Sequence, residues 1–169
     1  MKEITQEKLK EELKYNPNTG VFIRTKKTSN KVNIGDIVGY KNNCGYIVIG
    51  VDGRQMLAHR LAWVYVYGTM PNNIDHINGI TDDNRITNLR SVSHQENHKN
   101  QAISKNNTSG VTGVYWVNQQ SNWLAKIKVN YKDITLGRFD TKQEAALARL
   151  KAEVKYGFHK NHGRNKETF

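Results

Sequence analysis

The hydrophobic pattern opens helical and turns to alternation almost at once. Ile4, Leu9 and Leu13 fall near one face of a helix over residues 4–14, and the run Asn16-Pro17-Asn18-Thr19-Gly20 then marks a turn. Val21 to Arg24 reads as a short strand, and the polar, basic stretch from Lys26 to Asn33 as an exposed loop. Gly45 to Val51 is β-branched and apolar, hence a strand; Asp52-Gly53 is a two-residue hairpin turn, and Arg54 to His59 the return strand. Arg60 to Tyr67, with Leu61, Trp63, Val64 and Tyr67, reads as a buried helix stopped by Gly68 and Pro71. A polar stretch reaches Asn88. From Leu89 to Asn100 a strand end runs into a helix, with Ser93 placed as N-cap and Glu96 three residues on.

Residues 101–110, QAISKNNTSG, are polar and turn-rich and read as a linker. Beyond them the period changes to strand alternation at 114–117, 123–129 and 134–139, with turns at 118–122 and 130–133. Thr141 and Glu144 form a capping-box pair ahead of a helix that aligns Ala145, Ala148 and Ala152, with Leu147 and Tyr156 near that stripe. Alternation places Trp123, Ala125 and Ile127 toward this helix and Leu124, Lys126 and Lys128 away from it. Trp116 and Trp123 read as core packing, and a basic tail after Lys160 as flexible. The fold class is therefore α+β. A mixed domain over 1–100 and the linker 101–110 precede a three-stranded antiparallel sheet packed on one helix over 111–160, with a tail over 161–169.

Composition narrows the function classes. The 169 residues include 26 Lys+Arg against 15 Asp+Glu, a formal charge of +11. Such an excess points to a polyanionic partner. Residues 1–100 hold 14 basic and 10 acidic side chains, and residues 101–169 hold 12 and 5, so the shorter part is the more purely basic. No apolar run reaches the roughly 18 residues that span a bilayer, and the N-terminus lacks an apolar signal core. A cytoplasmic location without a membrane partner is the expectation. Cys44 is the sole cysteine, which excludes an internal disulfide and a multi-cysteine zinc cage; it reads as a small, half-buried residue.

The chemistry concentrates between Ile74 and His98. Asp75 and His76 are adjacent, and Asx residues recur through Asn78, Asp82, Asp83, Asn84, Asn88 and Asn97. Neighbours on an extended strand point to opposite faces, so a carboxylate and an imidazole can approach one phosphate from different angles. Hydrolysis of a phosphodiester calls for such parts: a hard cation on oxygen ligands and an imidazole able to take a proton from water near neutral pH. Asp82-Asp83 by itself reads as a solvated loop. An EF-hand is disfavoured, because no Glu closes the loop at the required spacing. His94 and His98 share a helical face, but Gln95 breaks the metalloprotease pattern.

The segment LAHRLAWVYVYG…IDHINGITDDNRITNLRSVSHQENHKN closely resembles HNH nucleases of the homing-endonuclease type found in phages and mobile elements. The resemblance rests on Asp-His-x-Asn-Gly, Asp-Asn-Arg, Asn-Leu-Arg and a final Glu-Asn, in order. It implies a ββα-metal site in which His76 is the general base, Asp75 and Asn97 hold one divalent metal, and Asn88 braces the loop that orients the histidine. An asparagine oxygen suits Mg²⁺ or Mn²⁺ better than zinc. Arg60 is a candidate phosphate clamp; His59, His94 and His98 are candidate accessory residues, with a structural role the other reading for His59.

Residues 110–158 resemble the Apetala or ethylene-response-factor DNA-binding domain through Thr112-Gly113-Val114-Tyr115, Trp123-Leu124-Ala125-Lys126-Ile127, Leu136-Gly137-Arg138-Phe139-Asp140-Thr141 and Glu144-Ala145-Ala146. That resemblance assigns Thr112, Tyr115, Val117, Lys126, Lys128 and Thr135 to DNA. The two together imply a metal-dependent endonuclease on duplex DNA, working as a monomer or weak dimer in a bacterial host cytoplasm. A DNA-binding regulator with a vestigial site, or an RNA-binding or RNase protein, is the alternative.

Overall fold

The computed structural model describes residues 4–27 and 32–164 and divides into two compact units, Met1–Ser93 and His94–Phe169. It is a mixed α/β structure of short antiparallel sheets and four α-helices among the described residues.

The first unit begins with α1 (Gln6–Glu12), whose start is capped by the Thr5 hydroxyl accepting from the Lys8 amide at 3.3 Å. The helix stops one residue short of Leu13, which opens β1 (Leu13–Tyr15) paired with β2 (Phe22–Arg24). Leu9 and Leu13 are both buried, so the apolar pair serves one core from two elements. β3 (Tyr40–Lys41), β4 (Ile47–Val51) and β5 (Arg54–Leu57) form a meander closed by the Asp52-Gly53 turn. The return strand ends at Leu57 and α2 (Ala58–Tyr67) follows at once, so His59 and Arg60 stand on a helix rather than in the strand the alternation indicated for His59. Gly68 closes α2 in the left-handed conformation at φ 70°. Leu9, Leu13, Phe22, Ile49, Val51, Leu61, Val64 and Leu89 fill the core. Cys44 is exposed in the turn between β3 and β4, its amide bound to Asn42 Oδ1 at 2.9 Å, not half-buried.

β6 (Ile74–His76) and β7 (Leu89–Ser91) make a two-stranded ribbon in the first unit, with Asp75 opposite Arg90 and His76 opposite Leu89. The second unit opens with the short α3 (His94–His98). Its sheet has the order β10-β9-β8, from β8 (Val114–Val117), β9 (Asn122–Val129) and β10 (Lys132–Phe139). α4 (Lys142–Lys155) packs on it, started by the full capping box of Thr141 and Glu144. Val114, Ala125 and Ala145 are the buried centre.

Three expectations change here. Trp116 is 47% exposed and lies edge-on to the half-buried Trp123 at 5.3 Å, outside the core. The helix buries Ala145, Arg149 and Ala152, while Leu147 is exposed. Burying Arg149 is tolerable because its guanidinium donates to the Lys126 carbonyl at 2.6 Å and to Glu153 Oε1 at 2.8 Å. The third concerns the basic segment after Lys160. His159 N donates to Lys99 O, Gly163 N to Gln101 O and Ile103 N to Arg164 O, so it is bonded to residues 99–103 as far as Arg164. Residues 165–169 of the tail, and residues 28–31 of the loop read as exposed, lie outside the described residues.

Candidate nuclease site

Asp75 and His76 sit on β6 almost wholly enclosed, the whole residues at 8% and 5% exposure. Arg90, directly across the ribbon, donates to Asp75 Oδ2 from Nε at 3.0 Å and from a terminal nitrogen at 2.7 Å. Both bonds end on one carboxylate oxygen. The sequence contained this residue in Asn-Leu-Arg, yet only strand register revealed that it faces Asp75.

His76 Nε2 lies 3.3 Å from Asn84 Oδ1. Burial pushes its pKa below the ordinary imidazole value, against the opposing pull of the Asn84 bond and of Asp75, Asp83 and Asp82. The ring is therefore neutral at neutral pH, the form in which an imidazole accepts a proton. His59, from α2, meets His76 edge-on at 5.0 Å between ring centres, and Tyr46 stands 5.4 Å from His59 and 5.9 Å from His76. Burial, then the neighbouring His76 and Arg60, hold His59 down to about 3. His59 thus contributes an uncharged aromatic wall.

Asn88 ties the loop between β6 and β7 together. Its Nδ2 donates to Asp83 O at 2.8 Å, its Oδ1 accepts from Asn78 N at 3.0 Å, and its carbonyl accepts from Ile77 N at 2.8 Å. Asp83 is held by Arg85 and Asn78 and Asp82 by Lys41 at 2.9 Å, so both acids are engaged within the loop and its neighbours. Arg60 donates to the carbonyls of Pro71 and Asn72 at 3.2 and 3.4 Å, fixing the approach to β6.

The first unit thus brings together Asp75, His76 and Asn88, with His59 on the wall. Asn97 belongs to α3 in the second unit. On the same helix the Nε2 atoms of His94 and His98 are 3.0 Å apart, one ring donating to the other. No cluster of three or more His, Cys, Asp or Glu side chains able to hold a metal occurs among the described residues. The carboxylate of Asp75 is the kind of oxygen donor a hard cation takes, and such a cation keeps several waters and needs few protein ligands.

In the second unit the register places Leu124 between Tyr115 and Arg138, Lys126 beside Thr135, and Lys128 beside Asp133. Tyr115, Val117, Lys126, Lys128 and Thr135 therefore share the sheet face opposite α4, as alternation required. Thr112 does not display its hydroxyl there: Oγ1 is buried and packs against Gly163. Arg138 joins the exposed face, its guanidinium held by Gln120 and Asn122. Its place was readable only once a register shift between Thr135 and Gly137 was known.

Residues 56–99 match the family model described as HNH endonuclease. The chain is also similar to "Protein 3.8" of Escherichia phage T7, at 32% identity over 76 residues, covering 44% of this chain and 63% of that protein. The chain therefore spans less than two thirds of that relative's length. No solved structure matches. No helix among the described residues is long and apolar enough to cross a membrane.

Proposed function

We propose that the chain is a metal-dependent endonuclease of phage or mobile-element type that hydrolyses phosphodiester bonds in duplex DNA. The observation that carries this is a neutral, buried His76 beside Asp75 on one strand, inside the segment that matches the HNH endonuclease family. The chain order of β6, β7 and α3 agrees with the strand–strand–helix succession of a ββα-metal motif.

His76 takes a proton from water as the water oxygen attacks phosphorus; the bond to the leaving ester oxygen breaks, and that oxygen is protonated to a hydroxyl. A divalent cation such as Mg²⁺ or Mn²⁺, when bound, offsets charge on the pentacoordinate phosphorus and the leaving oxygen. Asp75 would hold it through carboxylate oxygen, with Arg90 sharing that carboxylate, and Asn97 would add an amide oxygen, a role that rests on the sequence resemblance. Asn88 keeps the β6–β7 loop folded around His76.

The second unit, with its excess of cations and the exposed face of Tyr115, Lys126, Lys128 and Thr135, is proposed to grip the duplex through phosphate contacts. Supercoiled plasmid with Mg²⁺ or Mn²⁺, against an EDTA control, tests the activity. His76→Ala is expected to abolish cleavage and leave DNA binding intact. Binding without cleavage by the unaltered chain would favour the regulator with a vestigial site, and preference for RNA in competition would favour the RNA-binding alternative.

A further inference from the structure

We infer that Asn84 is a positioning residue that sets the tautomer of His76, and that Tyr15 at the end of β1, with the turn that follows it to Gly20, is the bracket that holds Asn84 in place. The inference deepens the proposed role of His76 as base and rests on it for its catalytic meaning, but not for its geometry.

Asn84 is 2% exposed, and its polar groups are engaged one by one. Its backbone N and its Nδ2 both donate to Asp82 O at 3.1 Å. Its carbonyl accepts from the Tyr15 hydroxyl at 2.7 Å. A backbone carbonyl can only accept, so the amide NH₂ must face Asp82 and Oδ1 must face His76. Oδ1 in turn can only accept. The neutral imidazole must then carry its hydrogen on Nε2, which places the lone pair of the base on Nδ1.

The bracket is built from sequence-distant residues. Besides the Tyr15 bond, Ile86 N donates to Pro17 O at 3.2 Å. Gly20, at φ +75°, packs so closely that a β-carbon there would stand 2.6 Å from both Arg85 N and the Asn84 carbonyl carbon. The turn read from Asn16-Pro17-Asn18-Thr19-Gly20 thus meets the loop that carries Asn84 with no room for a side chain. A ring held in one tautomer and one orientation avoids the loss incurred when the proton sits on the wrong nitrogen.

The test is the nitrogen spectrum of His76 in the full chain, ¹⁵N-labelled at histidine, above the titration range and without metal. The expected result is an Nε2–H tautomer in the unaltered chain, a mixed population in Asn84→Ala, and restoration of Nε2–H in Asn84→Asp, which keeps an acceptor. Cleavage by Asn84→Ala is expected to fall about 10–100-fold in kcat with KM for DNA nearly unchanged, and Asn84→Asp to recover part of it. Tyr15→Phe, which keeps the ring and removes only the donor to Asn84, is expected to broaden the tautomer population and lower kcat in the same direction. An Nδ1–H signal in the unaltered chain overturns the inference, as does an unchanged His76 spectrum in folded Asn84→Ala; should that variant not fold, an unmoved spectrum and kcat in Tyr15→Phe overturn the bracket. Retained cleavage in His76→Ala would instead overturn the role of base and leave the tautomer assignment standing.

Discussion

Arg90 directs two nitrogens at a single oxygen of Asp75, at 3.0 and 2.7 Å, from the position directly opposite on the neighbouring strand. The Asp75 side chain is only 10% exposed, so the guanidinium compensates a carboxylate that has lost most of its water. Arg90→Ala is expected to lower stability by about 1–3 kcal/mol through loss of these charge-assisted bonds. A divalent cation would then meet less positive charge at the same carboxylate. Millimolar Mn²⁺ is therefore expected to raise the urea midpoint of Arg90→Ala more than that of the unaltered chain. Equal shifts in the two would remove Asp75 from the metal site.

Acidification is expected to weaken the first unit through His59. In the unfolded chain this imidazole titrates near the ordinary 6.5, and in the folded unit it is held down to about 3. Above the unfolded value neither state is protonated, and the full contribution is present. Between the two values only the unfolded state binds a proton, so stability falls as pH drops, by about 1.4 kcal/mol per unit for one such group. His59→Phe keeps an aromatic wall and removes the titration. Urea midpoints between pH 4.5 and 6.5 are expected to show a slope shallower by that share; it does not vanish, since burial lowers His76 as well. An unchanged slope would place His59 in water.

The sequence disclosed the elements well where local chemistry decides them. The Thr141 and Glu144 capping box, the Asp52-Gly53 hairpin and the alternation of Ala125 and Ile127 all have causes within a few residues. What it could not disclose depends on pairing between distant segments. Arg90 opposite Asp75, Arg138 on the exposed sheet face and the enclosure of the Thr112 hydroxyl follow from register and packing. Asn84 lay in a quoted motif without a role, because the bonds that fix it reach back to Tyr15 and forward from His76. The helix face was legible at Ala145 and Ala152 but not at Arg149, which takes a buried place only because carbonyl and carboxylate acceptors await it.

Gly20 and Gly53 share a positive φ, near +75° and +69°, and differ in what surrounds them. A methyl group at Gly53 meets nothing within 4 Å, so Gly53→Ala is expected to cost only the backbone strain, about 1 kcal/mol. At Gly20 the same methyl group would press on the backbone of Asn84 and Arg85. Gly20→Ala is expected to cost about 2 kcal/mol or more and to depress cleavage in the fraction that stays folded, because the displaced loop carries the partner of His76. Denaturation midpoints for both variants check the stability difference. Similar losses would show that the turn does not press on the loop.

Salt dependence separates a gripping sheet face from an ordinary polar one. A cation that neutralises a phosphate releases counterions, and its loss lowers the slope of log affinity against log salt by about 0.9 per contact on duplex DNA. Lys126 stands beside Thr135 and Arg138 beside Leu124, all on the face opposite α4, whereas Lys128 has Asp133 across from it. Lys126→Ala and Arg138→Ala are therefore each expected to flatten the slope by nearly a full contact, and Lys128→Ala by less. Trp116 is exposed but belongs by register to the other face, so Trp116→Ala is expected to leave the slope unchanged. Filter binding or anisotropy titrations from 50 to about 200 mM salt measure all four. If the triple variant of Lys126, Lys128 and Arg138 keeps the slope of the unaltered chain, the DNA grip lies elsewhere.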